Sequence, residues 1–384
     1  MGLKTFCAYY DRGECRSCSA IELDYAAQLA RKEARLREAL AFLAPFPVEP
    51  AMPSKLEGFR NRAKLVVTGT SAAPVLGLAG EADLDAGREL LACPIHHPRL
   101  NAVIAALPEF IREFDLVPYR IAERKGELKG LILFTSAETR EMYLRFVLRS
   151  KECVARIRKG LPKLAAAFPE LTVVSANLQP IPHAILEGPE EIFLTERRAI
   201  RHAIDGIPFR LSPAAFVQTN SEVATKLYVT AAEWIAESGA RRVAELFCGQ
   251  GAFSFFCARN PAVEALLGVD VNAEGVAAAN DSAREQGLSA RLAFRAADAA
   301  DVAKELADFA PDLLLVNPPR RGLGRARAMV RELAPKRLIY SSCEIATLAE
   351  DLRAFAPEYR LERARVFDLF PHTEHFETLV SLSR

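Results

Sequence analysis

From about residue 206 the chain alternates short apolar runs with helical stretches, and this alternation leaves few folds open. Arg242-Val243-Ala244-Glu245-Leu246-Phe247 reads as a strand, followed by Cys248-Gly249-Gln250-Gly251 and an apolar helix. A second strand spans 265–270, then helix 273–286, strand 290–295, helix 299–309, strand 312–316, helix 324–334 and strand 337–341. Repeated strand–helix units imply an α/β, Rossmann-like domain over 206–384, its parallel sheet covered on both faces. Two further runs, 359–367 and 376–382, have no long helix between them and predict a hairpin-like edge.

Upstream the character differs. Residues 21–44 carry Leu29, Leu36, Leu40 and Leu43 near helical spacing, and Pro45, Pro47, Pro50 and Pro53 end that helix. Residues 54–205 read as a central α+β domain, with strands at 64–68, 130–134 and 171–175 and helices at 98–114, 137–149 and 153–168. Residues 1–95 hold a cysteine-rich start, the first helix and the beginning of that central domain.

Composition narrows the function classes. No window of 18 uninterrupted apolar residues exists, and Met1 to Tyr10 lack a charged start followed by an apolar core. The expectation is a cytoplasmic protein that neither enters a membrane nor is exported. The net charge of +1 gives no global field for nucleic acid, so an RNA site must be local. Candidate patches are Arg156, Arg158, Lys159 and Lys163; Arg197, Arg198 and Arg201; and Arg320, Arg321, Arg325 and Arg327, although each by itself also suits a solvated helix face.

The loop after the first C-terminal strand has the form of a nucleotide-type site. Gly249 and Gly251 let backbone approach a ligand between a strand and a helix N-terminus. Asp270 ends the next strand about 20 residues later, where a carboxylate can accept both hydroxyls of a ribose. The spacing fits a dinucleotide or S-adenosylmethionine, and Asp298 follows a strand in the same way. Asn317-Pro318-Pro319-Arg320 stiffens a loop at the carboxyl edge of the sheet. An aromatic after the prolines would suggest amine methylation; Arg320 fits a cation near a phosphate or an anionic intermediate. Cys343 ends the fifth strand on the same edge, where a thiol is either inert core or a nucleophile.

Eight cysteines without an export signal argue for thiol or metal chemistry rather than a disulfide frame. Cys7, Cys15 and Cys18 crowd the start, and Cys93, followed by Pro94, supplies a fourth member. Four thiolates suit zinc or an iron–sulfur cluster. The unequal spacing and the Cys-Pro pair favour the cluster, and the spacing of radical S-adenosylmethionine enzymes is missing. His96 and His97, being adjacent, are read as surface residues.

Together the motifs Phe216-Val217-Gln218-Thr219-Asn220, Leu246 to Ser254, Asn317 to Gly322, Tyr340-Ser341-Ser342-Cys343 and Phe370 to Glu377 resemble the RNA uracil-5-methyltransferase family over nearly the whole chain. The start at the cysteines, with no room for the small RNA-binding β-barrel of many relatives, and Asn317 in place of Asp resemble the branch acting on uracil 747 of 23S ribosomal RNA. That resemblance implies a [4Fe-4S] cluster on the four cysteines and S-adenosyl-L-methionine as methyl donor. It further implies donor contacts from Gln218, Phe247, Asp270 and Asn317, with Asp298 near the adenine, Cys343 as nucleophile and Glu377 as base. A monomer acting on RNA, with no obligate protein partner, is expected. Rival readings are a transfer RNA uracil-5-methyltransferase, an amino-group methyltransferase of the same fold, an iron–sulfur RNA-binding protein with a vestigial methyltransferase fold, and, more distantly, an NAD-dependent dehydrogenase.

Overall fold

The computed structural model describes residues 5–80, 83–181, 187–356 and 358–384, so the first four residues of the Met1–Tyr10 stretch lie outside the described residues. The chain divides into one unit of Met1–Cys18 with Lys55–Ala214 and a second of Ser19–Ser54 with Ala215–Arg384.

The second unit is built on an eight-stranded sheet in the order Val48–Met52, Arg360–Phe367, Glu377–Ser383, Arg337–Ser342, Leu313–Val316, Arg242–Leu246, Ala265–Asp270, Leu292–Ala296. The last five of these are parallel to one another. The inner strands of this group are largely apolar on both faces because helices cover both, and the core includes Leu246, Val269, Val316, Leu338 and Tyr340. Chain order reverses between Arg242–Leu246 and Leu313–Val316, which opens a crevice at their carboxyl ends. The Glu377–Ser383 strand runs antiparallel to both neighbours.

The closing pair is antiparallel, as expected of a hairpin, but it is not the edge. Val48–Met52, from within the proline cluster, pairs in parallel outside Arg360–Phe367. An outermost strand tolerates prolines because one side of its backbone needs no ladder partner. The helix expected over 21–44 forms at Tyr25–Ala39, and Leu36 and Leu40 enter the core of this unit.

The first unit has a seven-stranded sheet ordered Arg88–Glu89, Pro74–Leu78, Arg62–Gly69, Leu128–Thr135, Met142–Leu148, Leu171–Leu178, Glu190–Phe193. Helices Pro98–Glu113 and Val154–Ala167 bury Val103, Ile104, Leu107, Phe110, Ile157 and Leu164 in its core. A Cβ on Gly160 would stand 2.5 Å from the Phe110 ring, so glycine is what allows that close approach. A hairpin of Ile200–Ile204 and Ile207–Leu211 turns at Asp205-Gly206, both at positive φ, the backbone that matches strand twist.

One expected element is overturned. Residues 137–149 do not form a helix; Met142–Leu148 is a strand between Leu128–Thr135 and Leu171–Leu178. Met142, Leu144, Phe146 and Leu148 alternate into the core, a period of two. Arg145, on the same strand, is buried against Glu187 and Glu191.

Candidate active site

The cavity of the second unit lies at the crevice where strand order reverses and has a volume of about 670 Å³. Its walls include Gln218, Phe247, Gly249, Asp270, Asp298 and Asn317 together with Cys343 and Glu377. Every donor-site and catalytic residue expected from sequence in the second unit therefore shares one cavity.

Local structure explains the placement. Phe247, Gly249 and Gly251 have φ of 61°, 55° and 78°, so the chain leaves the Arg242–Leu246 strand through a tight left-handed turn. A Cβ on Gly251 would sit 2.4 Å from the Phe294 ring, whereas Gly249 faces open space. The Gly249 amide donates to Asp270 Oδ2 at 2.8 Å, and Asn272 N donates to Oδ1 at 2.8 Å, so the carboxylate ties two neighbouring loops together. Asp298 caps the next turn by accepting from Ala300 N at 2.9 Å. Beneath the loop, buried Glu245 accepts from the amide and hydroxyl of Ser254, and burial pushes its carboxyl up to about 8.

The placement of Cys343 beside Glu377 follows from strand register. Ser341 pairs with Leu379 and Ser342 with Thr378; continued by one residue, the register sets Cys343 opposite Glu377. Directly opposed residues of antiparallel strands present their side chains on the same face. Glu377 is 2% exposed and accepts from Ser341 Oγ at 2.8 Å. Burial raises its carboxyl to about 7 against the opposing pull of that hydrogen bond. The half-buried Cys343 thiol is raised by burial and then by the Glu377 charge; Arg320 opposes both by its charge and by a side-chain hydrogen bond.

Sequence reasoning missed what holds these loops. Asp351, fully buried, accepts from Tyr340 Oη at 2.6 Å, from Leu323 N at 2.8 Å and from Arg327 Nε at 2.6 Å, linking the strand before Cys343 to the loop after Asn317. Lys32, Gln28 and Arg35 bond to Asp368, His372 N and Glu374 O around the approach to Glu377. Tyr340 and the Phe370–Glu377 motif were visible, but partners far away in sequence carry no local signal.

The basic patches divide. Arg320 and Arg321 line the cavity. Arg325 pairs with Asp298 and Asp301, and Arg327 with Asp351 and Glu350. In the first unit Arg197 and Arg201 share Glu141, Arg156 pairs with Glu152, and Lys163 with Glu109.

In the first unit Cys7, Cys15, Cys18 and Cys93 are electrostatic neighbours. The Cys18 thiol is pushed up to about 12, first by burial and then by Cys93, Cys15 and Cys7; burial raises Cys93 to about 11, with Cys7 and Cys15 adding. Arg60 faces Cys93 and Cys18. Among the described residues no three His, Cys, Asp or Glu side chains converge as a single-ion site. His96 is buried rather than on the surface, held near 4 first by burial and then by Arg60. His97 caps the Pro98–Glu113 helix by accepting from Arg99 N.

Among the described residues no helix is long and apolar enough to cross a membrane. Residues 197–384 match the tRNA (Uracil-5-)-methyltransferase family. The chain is 43% identical over 388 residues to the 23S rRNA (uracil(747)-C(5))-methyltransferase RlmC of Shewanella sp. (strain ANA-3), covering 98% of each chain. It is 41% identical to the protein of the same name from Xenorhabdus bovienii (strain SS-2004), again over 98% of each. Its fold matches the crystal structure of the Pyrococcus abyssi tRNA (uracil-54, C5)-methyltransferase in complex with S-adenosyl-L-homocysteine, with a TM-score of 0.79 and 23% identity, over 95% of this chain and 85% of that one. With relatives this similar over almost its whole length, the chain belongs to the RNA uracil-5-methyltransferase family.

Proposed function

We propose that this enzyme transfers the methyl group of S-adenosyl-L-methionine to carbon 5 of a uridine in 23S ribosomal RNA, at the site given in its relatives' names, through a transient bond from Cys343 to the uracil ring. The observation that carries this reading is the shared cavity, lined by Cys343 and Glu377 together with Gly249, Asp270 and Asn317.

The donor fits the walls. Gly249 leaves room for close backbone approach, and the Asp270 carboxylate is held at the end of its strand to receive ribose hydroxyls. Gln218, Phe247, Asp298 and Asn317 complete the donor pocket.

Carbon 5 of uracil is a weak nucleophile. Addition of the Cys343 thiolate to carbon 6 gives carbon 5 enolate character, so it can take the sulfonium methyl. Glu377 then accepts the carbon 5 proton, the double bond reforms and Cys343 leaves as thiolate. Arg320 supports the thiolate against the burial and the carboxylate that oppose it. The target base leaves its stack to enter the cavity, and the region 54–205 supplies further RNA contacts. The enzyme works as a monomer in the cytosol, with no obligate protein partner.

The donor set of Cys7, Cys15, Cys18 and Cys93 fits a [4Fe-4S] cluster. The Cys18 and Cys93 thiols feel the charges of Cys7 and Cys15 beside the Arg60 guanidinium. Bound there, the cluster would crosslink the first 18 residues to the Cys93 segment; the methyl-transfer chemistry asks no electrons of it.

The test uses 23S RNA carrying 5-fluorouridine. A denaturant-resistant protein–RNA adduct is expected with the native enzyme and none with Cys343→Ala. Methylation by Cys343→Ala at the normal rate would refute the nucleophile assignment. Methyl mapped to transfer RNA, or to an exocyclic nitrogen, would replace the substrate or the reaction class.

A further inference from the structure

Ser341 bears on the chemistry through one buried hydrogen bond. Its hydroxyl, fully inaccessible, donates to Glu377 Oε1 at 2.8 Å across the antiparallel pair. The next residue acts differently, because Ser342 Oγ donates to Glu344 O and accepts from Glu344 N, closing the turn after Cys343. Ser341 shares its strand face with Cys343 two residues on, and the register sets Glu377 diagonally across from it.

We infer that Ser341 is a positioning residue for the base: it fixes Glu377 Oε1, leaving Oε2 to take the proton from carbon 5, and it favours the ionised carboxylate that this step requires. The inference rests on the reading of Glu377 as base. In the step concerned the carbon 5–hydrogen bond breaks and the proton moves to Oε2. The released electron pair forms the carbon 5–carbon 6 double bond, and the carbon 6–sulfur bond breaks to return the Cys343 thiolate.

The surroundings make the donor matter. Burial drives Glu377 toward its neutral form, and the Ser341 hydrogen bond works against that drive. Among the described residues, the titratable groups that feel Glu377 are Cys343, itself opposed by Arg320, and Tyr228 of helix Ser221–Glu237, which also feels Glu245. On the Arg360–Phe367 strand the paired residue is apolar Phe367. Neither Cys343 nor Tyr228 carries a cation, so neither replaces what Ser341 supplies.

The decisive comparison is Ser341→Val against Ser341→Thr, two side chains of one shape of which only threonine keeps the hydroxyl. Single-turnover release of tritium from 5-tritiated uridine RNA reports the base. Adduct formation on 5-fluorouridine RNA reports Cys343, because it precedes proton removal. A hydrogen bond to a charged group is worth enough to move the acidic limb of tritium release upward by about one pH unit in Ser341→Val, so release at pH 6 falls about tenfold. Ser341→Thr should follow the native profile, and both variants should form the fluorouridine adduct at least as fast as the native enzyme, since a more neutral Glu377 only relieves its opposition to the Cys343 thiolate. Coincident release profiles for valine and threonine would overturn the inference. Glu377→Gln, run alongside, separates the two levels: if it releases tritium normally, the base assignment itself fails.

Discussion

Lys32 Nζ lies 2.6 Å from Asp368 Oδ1, with the two side chains 2% and 0% exposed. The same ammonium donates to Phe370 O at 3.1 Å, and Tyr25 Oη donates to Asp368 Oδ2 at 2.8 Å. Phe370 lines the cavity, so the pair fixes a cavity wall to a helix from the start of the chain.

Removing one partner leaves the other charge buried and unpaired. Asp368→Asn should lower the unfolding free energy by about 3–5 kcal/mol, the range for a broken buried pair. Lys32→Met should do the same, because it strands the carboxylate. The double variant Lys32→Met with Asp368→Asn should recover much of the loss. Chemical denaturation of the four proteins checks this, and strictly additive losses would show that the two groups do not act as a pair.

Gly251 offers a second check. Its φ of 78° is costly for any other residue, and an added Cβ would meet the Phe294 ring at 2.4 Å. Gly251→Ala should cost about 1–3 kcal/mol through overpacking and backbone strain. Gly249→Ala should weaken S-adenosylmethionine binding by calorimetry at least as much as Gly251→Ala does, since Gly249 lines the cavity and its open face is where the donor approaches. Equal affinity for Gly251→Ala and the native protein would detach this turn from the donor site.

The donor loop, the proline loop and Cys343 were legible because each follows an apolar run, and a parallel sheet gathers such ends at one edge. Glu377, which opens an antiparallel strand, was legible instead through the Phe370–Glu377 motif. The helix expected over 137–149 is instead the strand Met142–Leu148, whose Arg145 is neutralised by Glu187 and Glu191, more than 40 residues later and so without local signal. The outer strand Val48–Met52 was missed because its prolines read locally as a stop signal. Lys32 and Asp351 carried no motif, and the motif holding Ser341 said nothing of its partner; only the folded structure shows what the three hold.

The cysteine set predicts a metal-dependent first unit. Anaerobically prepared protein should contain iron and acid-labile sulfide and absorb in the visible, and Cys93→Ser should lose both. Because a ligand bound only by the folded state stabilises it, the Cys93→Ser protein should also melt at lower temperature. Colourless anaerobic protein containing zinc and no iron would rule out the cluster.

Glu245 sets a pH dependence of opposite sign to that of most carboxylates. Its folded value near 8 lies above the ordinary 4.5, through burial, so between those limits the folded state holds a proton that the unfolded chain gives up. Stability from this group is therefore fully present below about pH 4.5 and is lost as pH rises through about 8. Glu245→Gln keeps an acceptor for Ser254 and removes the titration. Its stability relative to the native protein should climb steadily from pH 5 to pH 9, reaching several kcal/mol at most. A constant difference across that range would mean that Glu245 is already ionised in the fold at neutral pH, stabilised by Ser254 against its burial.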